Sequence, residues 1–198
     1  MVRRAQLISL LSCAVACGRA PQPHATAHKE VAANRVPVRT GDVHDFDFLA
    51  GSWKVHNRTL KAGGAGGDAW VEYPATTCMT FHLGGVVNVD EYQFPTKGYS
   101  AMALRIFDLE KRQWSIYWIE GRAGVLLPPV TGGFDGDRGE FYGEDEIGGR
   151  PAIFRFVWTK LGADRARWEQ AYSPDGQEWT VNWTMDFTRT GGAGCART

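Results

Sequence analysis

No aromatic residue precedes Phe46 in this 198-residue chain, although phenylalanine, tryptophan and tyrosine together make up 12% of it. A stretch without rings cannot supply much core, so the folded domain begins close to that point. Other absences narrow the function. There is no nucleophile elbow, Walker loop or dinucleotide fingerprint. The four cysteines form no CxxC pair and have no histidine at metal-ligand spacing, which removes the common zinc sites. No repeat recurs at a fixed period, so a propeller or solenoid is excluded. A basic stripe is also missing. Residues 1–41 hold six of the 22 Lys+Arg but only one of the 22 Asp+Glu, leaving 16 basic and 21 acidic residues and a net charge of −5 beyond them. A mildly acidic domain of this kind is a poor partner for nucleic acid.

What is present at the N-terminus resembles an export signal. Arg3 and Arg4 precede a 12-residue apolar run, Ala5 to Ala16, too short to span a bilayer. Ala14-Val15-Ala16-Cys17-Gly18 resembles a lipoprotein cleavage box, with Cys17 as the acylated residue and a membrane attachment point; an ordinary signal peptide is the alternative. The expected organisation is a signal over 1–17, a flexible tether rich in Pro and Ala over 18–43, a barrel over 44–189 and a flexible tail over 190–198. The protein would then be exported, either periplasmic or membrane-anchored. Cys78 and Cys195 could pair if the Gly-rich tail folds back, with two unrelated thiols as the leading reading.

The stretch that organises the domain is Phe46-Asp47-Phe48-Leu49-Ala50-Gly51-Ser52-Trp53. A compact apolar plug leads through Gly51, which tolerates positive φ, into a strand carrying Trp53 and Val55. Beyond it, short strands follow one another across Gly, Pro and Asp turns with almost no helix-period segment. They are expected at 70–73, 75–82, 86–94, 99–107, 114–120, 130–134, 138–146, 152–160, 166–172 and 178–189. Pro74 should break or bend the second of these. About ten such strands close into one antiparallel up-and-down barrel with room for a cavity, and the last strand should pair with the first. Its apolar row of Trp179, Val181, Trp183, Met185 and Phe187 should meet Trp53 and Val55.

The clearest hairpin joins 99–107 to 114–120. With Phe107 facing Trp114, the period of two puts Tyr99, Ala101, Ala103, Arg105, Ile116, Trp118 and Glu120 on one face. Ser100, Met102, Leu104, Ile106, Ser115, Tyr117 and Ile119 take the other. Both faces are largely apolar, so one should line the interior and the other be covered by a neighbour or a second copy.

The opening motif resembles that of an uncharacterised bacterial family of lipocalin-like barrel proteins. So do Gly84-Gly85-x-x-Asn88-x-Asp90-Glu91, the run Trp114 to Trp118 followed by Gly121-Arg122, and the closing Trp168-Glu169-Gln170 and Trp183-x-Met185-Asp186-Phe187. The resemblance spans residues 44–189 and implies a calycin-type barrel. Haem-binding relatives of that architecture use a histidine late in the chain. None follows His82 here, so no haem and no other cofactor is expected.

Charged residues inside strands, namely Arg105, Glu120, Glu144, Arg155 and Glu169, need partners or water. An outer-wall ion-pair ladder is the leading reading. The functional reading is a polar cluster inside a cavity, with Arg105 and Arg122 holding a ligand carboxylate in a two-pronged grip. Asn88, Asp90 and Glu91 read as turn and strand-start chemistry. His44, His56 and His82 do not make a metal triad, since no carboxylate spacing supports one. The candidate ligand-binding residues are Trp53, Ala103, Arg105, Trp118, Glu120, Arg122 and Trp183. The expected function is binding of a small apolar or carboxylate-bearing molecule. The alternatives are a cavity enzyme of isomerase, cyclase or decarboxylase type using Arg105, Glu120 and Tyr117, and a self-associating interaction protein.

Overall fold

The computed structural model describes residues 36–61, 69–191 and 195. The signal, Cys17 and most of the tether lie outside the described residues. Eleven strands follow in chain order: β1 (Gly51–Leu60), β2 (Trp70–His82), β3 (Val87–Phe94), β4 (Tyr99–Asp108), β5 (Gln113–Glu120), β6 (Val125–Leu126), β7 (Val130–Asp135), β8 (Arg138–Ile147), β9 (Arg150–Lys160), β10 (Arg165–Ser173) and β11 (Thr180–Gly191). Each strand pairs antiparallel with the next, except that β7 passes the two-residue β6 and pairs with β5. β11 returns to β1, so ten strands form a closed barrel and β6 is an extra strand on its wall. The architecture is the closed antiparallel barrel expected from the sequence, and it is consistent with a calycin-type fold.

Alternation drives this closure. In β3, Asn88, Asp90, Tyr92 and Phe94 are buried while Glu91 is exposed. In β4, Ala101, Ala103, Arg105 and Phe107 are buried, and β5 contributes Trp114 and Ile116. The β4–β5 register is the expected one, with Ala101 opposite Glu120, Ala103 opposite Trp118 and Phe107 opposite Trp114. Pro74 does not break β2. The β2–β3 ladder begins only at Thr76, so at Pro74 only β1 lies alongside and the missing N–H has no second neighbour to serve.

One end of the barrel is stoppered by the plug. Asp47–Leu49 forms a single 3-10 turn, and Phe46 is fully buried with its ring edge-on to Trp114 and to Phe134, each at 5.1 Å. Trp53 Nε1 donates to the Leu49 carbonyl at 2.8 Å. From the closing strand, Arg189 donates to the Phe48 and Ala50 carbonyls, both at 2.6 Å, and lies 4.1 Å over the Trp53 ring. One side chain therefore ties the last strand, the first strand and the plug together.

Several boundaries differ from expectation. The tether ends earlier than residue 43, because the segment from Arg39 is held on the barrel. Arg39 bonds Glu140 at 3.2 Å, Gly41 N donates to Arg112 O at 2.8 Å, and Trp114 Nε1 donates to Asp42 O at 3.0 Å. A Cβ on Gly133 would stand only 2.6 Å from Gly41 N, so glycine there lets the segment cross the barrel end. At the other terminus, β11 runs on to Gly191, and Cys195 is bonded to Cys78 on the outer side of β2.

The expected last-strand row meets the first strand at Phe187, which pairs with Val55 and has its ring 6.2 Å from Trp53, while Trp183 lies opposite Thr59. Register shifts within β11 skip Thr190 against β1 and Asn182 against β10, and the row does not extend to Trp179. Trp179 precedes the strand and turns to the outer wall, 4.4 Å from the Arg155 guanidinium and 6.0 Å from the Tyr142 ring. On the β4–β5 outer face, Met102, Leu104, Tyr117 and Ile119 are half-buried and Ile106 is exposed. No layer among the described residues covers that face beyond the short β6.

Replacing Arg189 with Ala removes three charge-assisted hydrogen bonds, to the Phe48, Ala50 and Ala163 carbonyls, an ion pair to Asp164 at 3.3 Å and a cation–π contact at once. The expected loss is about 2–4 kcal/mol of unfolding free energy in urea, with Arg189→Lys restoring only part because an ammonium lacks the planar fork. A loss below about 0.5 kcal/mol, typical of an ordinary surface substitution, would contradict the role given to this residue.

Candidate functional site

Inside the barrel the plug supports a buried polar layer. Arg105 is 1% exposed and sits 4.8 Å above the Phe46 ring and 5.5 Å from that of Trp158. Its Nη2 donates to Asp90 Oδ2 at 2.6 Å and its Nη1 to Asn88 Oδ1 at 3.0 Å. Tyr92 Oη donates to the same Asp90 oxygen at 3.1 Å. Burial is the largest influence on Arg105 and works to lower its pKa. The charge of Asp90, then the electrostatic influence of Tyr92 and the hydrogen bonds that Arg105 makes to them, outweigh it, so the pKa ends above its ordinary value and the cation is secure. Burial, then the Asp90 charge, pushes the Tyr92 hydroxyl well above the usual tyrosine range, so it stays a donor.

Beyond this layer lies a cavity of about 330 Å³. Its wall is aromatic. Trp118 and Trp183 meet edge to face at 5.7 Å and 90°, Trp168 and Trp183 at 5.3 Å and 89°, and Phe156 and Trp168 at 4.9 Å and 72°. Trp183 is oriented by its Nε1, which donates to the buried Asn57 Oδ1 at 3.1 Å. Trp118, Trp183, Phe154 and Phe156 point inward yet are only half-buried, because part of each ring borders the cavity.

The cavity exists because the wall parts. β5 pairs with β7 only through Trp114, Ser115 and Ile116. Above them β5 turns its edge to β6, with Ile119 opposite Leu126 and Leu127 N bonded to Trp118 O at 3.0 Å. Residues 121–129 bridge the resulting gap toward β8, and Val125, Leu127 and Pro129 line it. Gly143 lies beneath this bridge, where a Cβ would stand 2.7 Å from Pro129 O. Glu120, Glu144 and Asp145 border the opening side.

Of the residues singled out from sequence, Ala103, Arg105, Trp118, Glu120 and Trp183 border the cavity, while Trp53 and Arg122 do not. Trp53 belongs to the closed end with the plug. Arg122 folds outward over Tyr99 at 4.2 Å, donates to Lys97 O at 2.7 Å and lies 3.8 Å from Glu120. The two-pronged carboxylate grip by Arg105 and Arg122 is therefore not assembled, since both Nη atoms of Arg105 are engaged by Asn88 and Asp90. The same commitment takes Arg105 out of the acid–base set with Glu120 and Tyr117.

The expected ion-pair ladder also runs elsewhere. Arg155 stacks on Trp179, and the outer-wall pairs are Arg58–Glu72, Arg138–Glu140 and Arg167–Asp186. The three histidines stand apart, with His44 on Asp47, His56 on Glu72 and His82 on Thr80. Asn88 and Asp90 are the residues that sequence reasoning misplaced, reading them as turn chemistry. The signal was available, since they alternate in phase with Tyr92 and Phe94. Sequence reasoning also missed Trp158, Trp168 and Phe156 as cavity residues.

No protein-family model and no curated protein matches the chain. Among solved structures it is similar to a protein of unknown function from the DUF3598 family of Nostoc punctiforme, with 12% identity and a TM-score of 0.40. The match covers 79% of this chain and 51% of that one, so the chain spans about half the length of its structural neighbour.

Removing one member of a buried charge pair strands the other. Asp90→Ala should cost about 3–5 kcal/mol in urea unfolding, and Arg105→Met a similar amount. The double variant Arg105→Met with Asp90→Ala should cost clearly less than the two single losses together, as coupled neighbours do. Simple additivity would mean that the two side chains do not act as a pair.

Proposed function

We propose that the protein is an exported, lipocalin-like binding protein that holds one small, mostly apolar molecule in the cavity between the Arg105 layer and the 121–129 bridge. The observation that carries this reading is the aromatic cavity itself. At about 330 Å³ it falls in the range of small-molecule sites, which are concave, largely apolar and furnished with few polar groups. A solid barrel of this strand number would bury those rings against one another. Here four inward-facing rings keep free surface instead. The Cys78–Cys195 disulfide supports export, because such bonds persist in oxidising compartments. The lipocalin-like character rests on the motif resemblance over residues 44–189 and on the closed meander.

Ala103 gives the direct test. It is buried on β4 between Asp90 and Trp118, borders the cavity, and has nothing larger than a methyl group to offer. Ala103→Phe should fill the space at a cost of about 1–3 kcal/mol from overpacking. Native mass spectrometry of protein purified from its own host should show a retained small molecule on the wild type and none on the folded variant. Neither form carrying a molecule, together with equal binding of apolar alcohols and acids by both, would overturn the reading.

A further inference from the structure

Resting on that reading, we infer that the cavity selects an organic cation, an amphiphile with an alkylammonium or quaternary ammonium head, over a fatty or aromatic acid. Three independent features of the wall lead there. The first is the arrangement of rings. Trp118, Trp183 and Trp168 form a chain of successive edge-to-face contacts, with Phe156 perpendicular to the last and Tyr92 5.3 Å from the first. Faces turned at right angles around one space make a cage whose ring quadrupoles all attract positive charge, and tryptophan is the strongest of the three aromatic types.

The second is the absence of an available counter-charge for an acid. Among the described residues Arg105 is the one basic side chain bordering the cavity, and Asp90 holds its Nη2 at 2.6 Å with Asn88 on Nη1. A ligand carboxylate seeking either Nη would have to displace Asn88 or Asp90, whose Oδ2 also receives the Tyr92 hydroxyl, and the remaining Nε is itself buried. The layer thus presents a neutralised surface to anything above it. The third is the sign of the opening. Glu120, Glu144 and Asp145 border it, and Glu144 and Asp145 are exposed. Arg122 stands 3.8 Å from Glu120 but is drawn outward by the Lys97 carbonyl and the Tyr99 ring. Acidic groups around a low-dielectric opening concentrate cations there and repel anions.

The geometry also gives the orientation. The ammonium head sits among Trp118, Trp183 and the opening carboxylates. The apolar body points down toward Ile116, Trp158 and Met185, which border the deeper part of the wall. Trp158 is 2% exposed and its Nε1 has no hydrogen-bond partner among the described residues, so an ether or carbonyl oxygen at the far end of the ligand would find a donor.

The test uses three probes that share one body and differ only in the head: phenylbutylamine, phenylbutanol and phenylbutyrate, titrated at pH 7 by isothermal calorimetry into the full mature chain. The amine should bind about tenfold more tightly than the alcohol, the scale of a desolvated cation–π contact, and the acid more weakly than the alcohol. Raising the salt should narrow the amine–acid gap, since the opening charges are partly exposed. Trp118→Leu, and separately Glu120→Gln combined with Glu144→Gln, should shrink the amine–alcohol affinity ratio toward one, and that ratio, not the alcohol affinity itself, is the readout. Binding of the acid as tightly as the amine, or an amine–alcohol ratio near one in the wild type, would overturn the cation preference and leave the binding reading standing. Failure of all three probes at millimolar concentration would overturn both.

Discussion

Arg189 is the point on which closure of this barrel depends. A meander of ten strands becomes a barrel only if its last strand finds its first, and an unclosed seam would leave two rows of unpaired backbone groups. The β1–β11 ladder supplies the pairing. Arg189 adds direction, because its planar fork reaches the carbonyls of Phe48 and Ala50 while its face covers Trp53. Those carbonyls lie at the end of the turn that stoppers the barrel. The seam and the stopper are thus fixed by one side chain, and Phe46 is delivered to its place beneath the polar layer.

The Arg105–Asp90 pair is the next consequence. A guanidinium this deep is tolerated because both of its Nη groups are met from one neighbouring strand, by Asn88 and Asp90 of β3, with Tyr92 of the same strand on Asp90. A buried pair of this kind adds little to stability compared with apolar packing, but it is costly to disrupt. Its effect on shape is to hold a flat, polar shelf between the filled end and the open one. The packed rings below and the partly free rings above meet at that shelf. The cavity is therefore a product of where the wall parts between β5 and β7 and of what stands beneath it.

Much of the fold was legible from residues alone. Ala101, Ala103, Arg105 and Phe107 alternate with residues of the opposite face, and a six-residue turn fixes their partners on β5, so the hairpin register followed from parity. The plug and Gly51-Ser52-Trp53 announced the closed end in the same way. The losses came where a backbone irregularity or a distant partner decides. The irregularities on β11 fall at Thr190 and at Asn182, and neither residue type signals them. Arg105 was recognised as a buried charge, but its partners lie 15 and 17 residues away across a turn. Their identity needed the same parity argument applied to β3. Arg122 lies just past the turn at Gly121, which carries it out of the barrel onto Tyr99 and the Lys97 carbonyl. The disulfide could not be read from Cys78 and Cys195, since the tail between β11 and Cys195 has no pattern that fixes its path.

The eight tryptophans offer a direct reading of the central claim, that the ring-lined space is where a small molecule binds. Trp118, Trp158, Trp168 and Trp183 border the cavity. Trp53 and Trp114 belong to the stoppered end, and Trp70 and Trp179 to the outer wall, where Arg58 and Arg155 stack on them. The decisive measurement is a two-dimensional nuclear magnetic resonance titration of the assigned indole N–H signals with a small apolar amine. The account predicts saturable shifts at the four cavity tryptophans, with the other four nearly still. Shifts confined to Trp70 and Trp179, or spread equally over all eight, would contradict it.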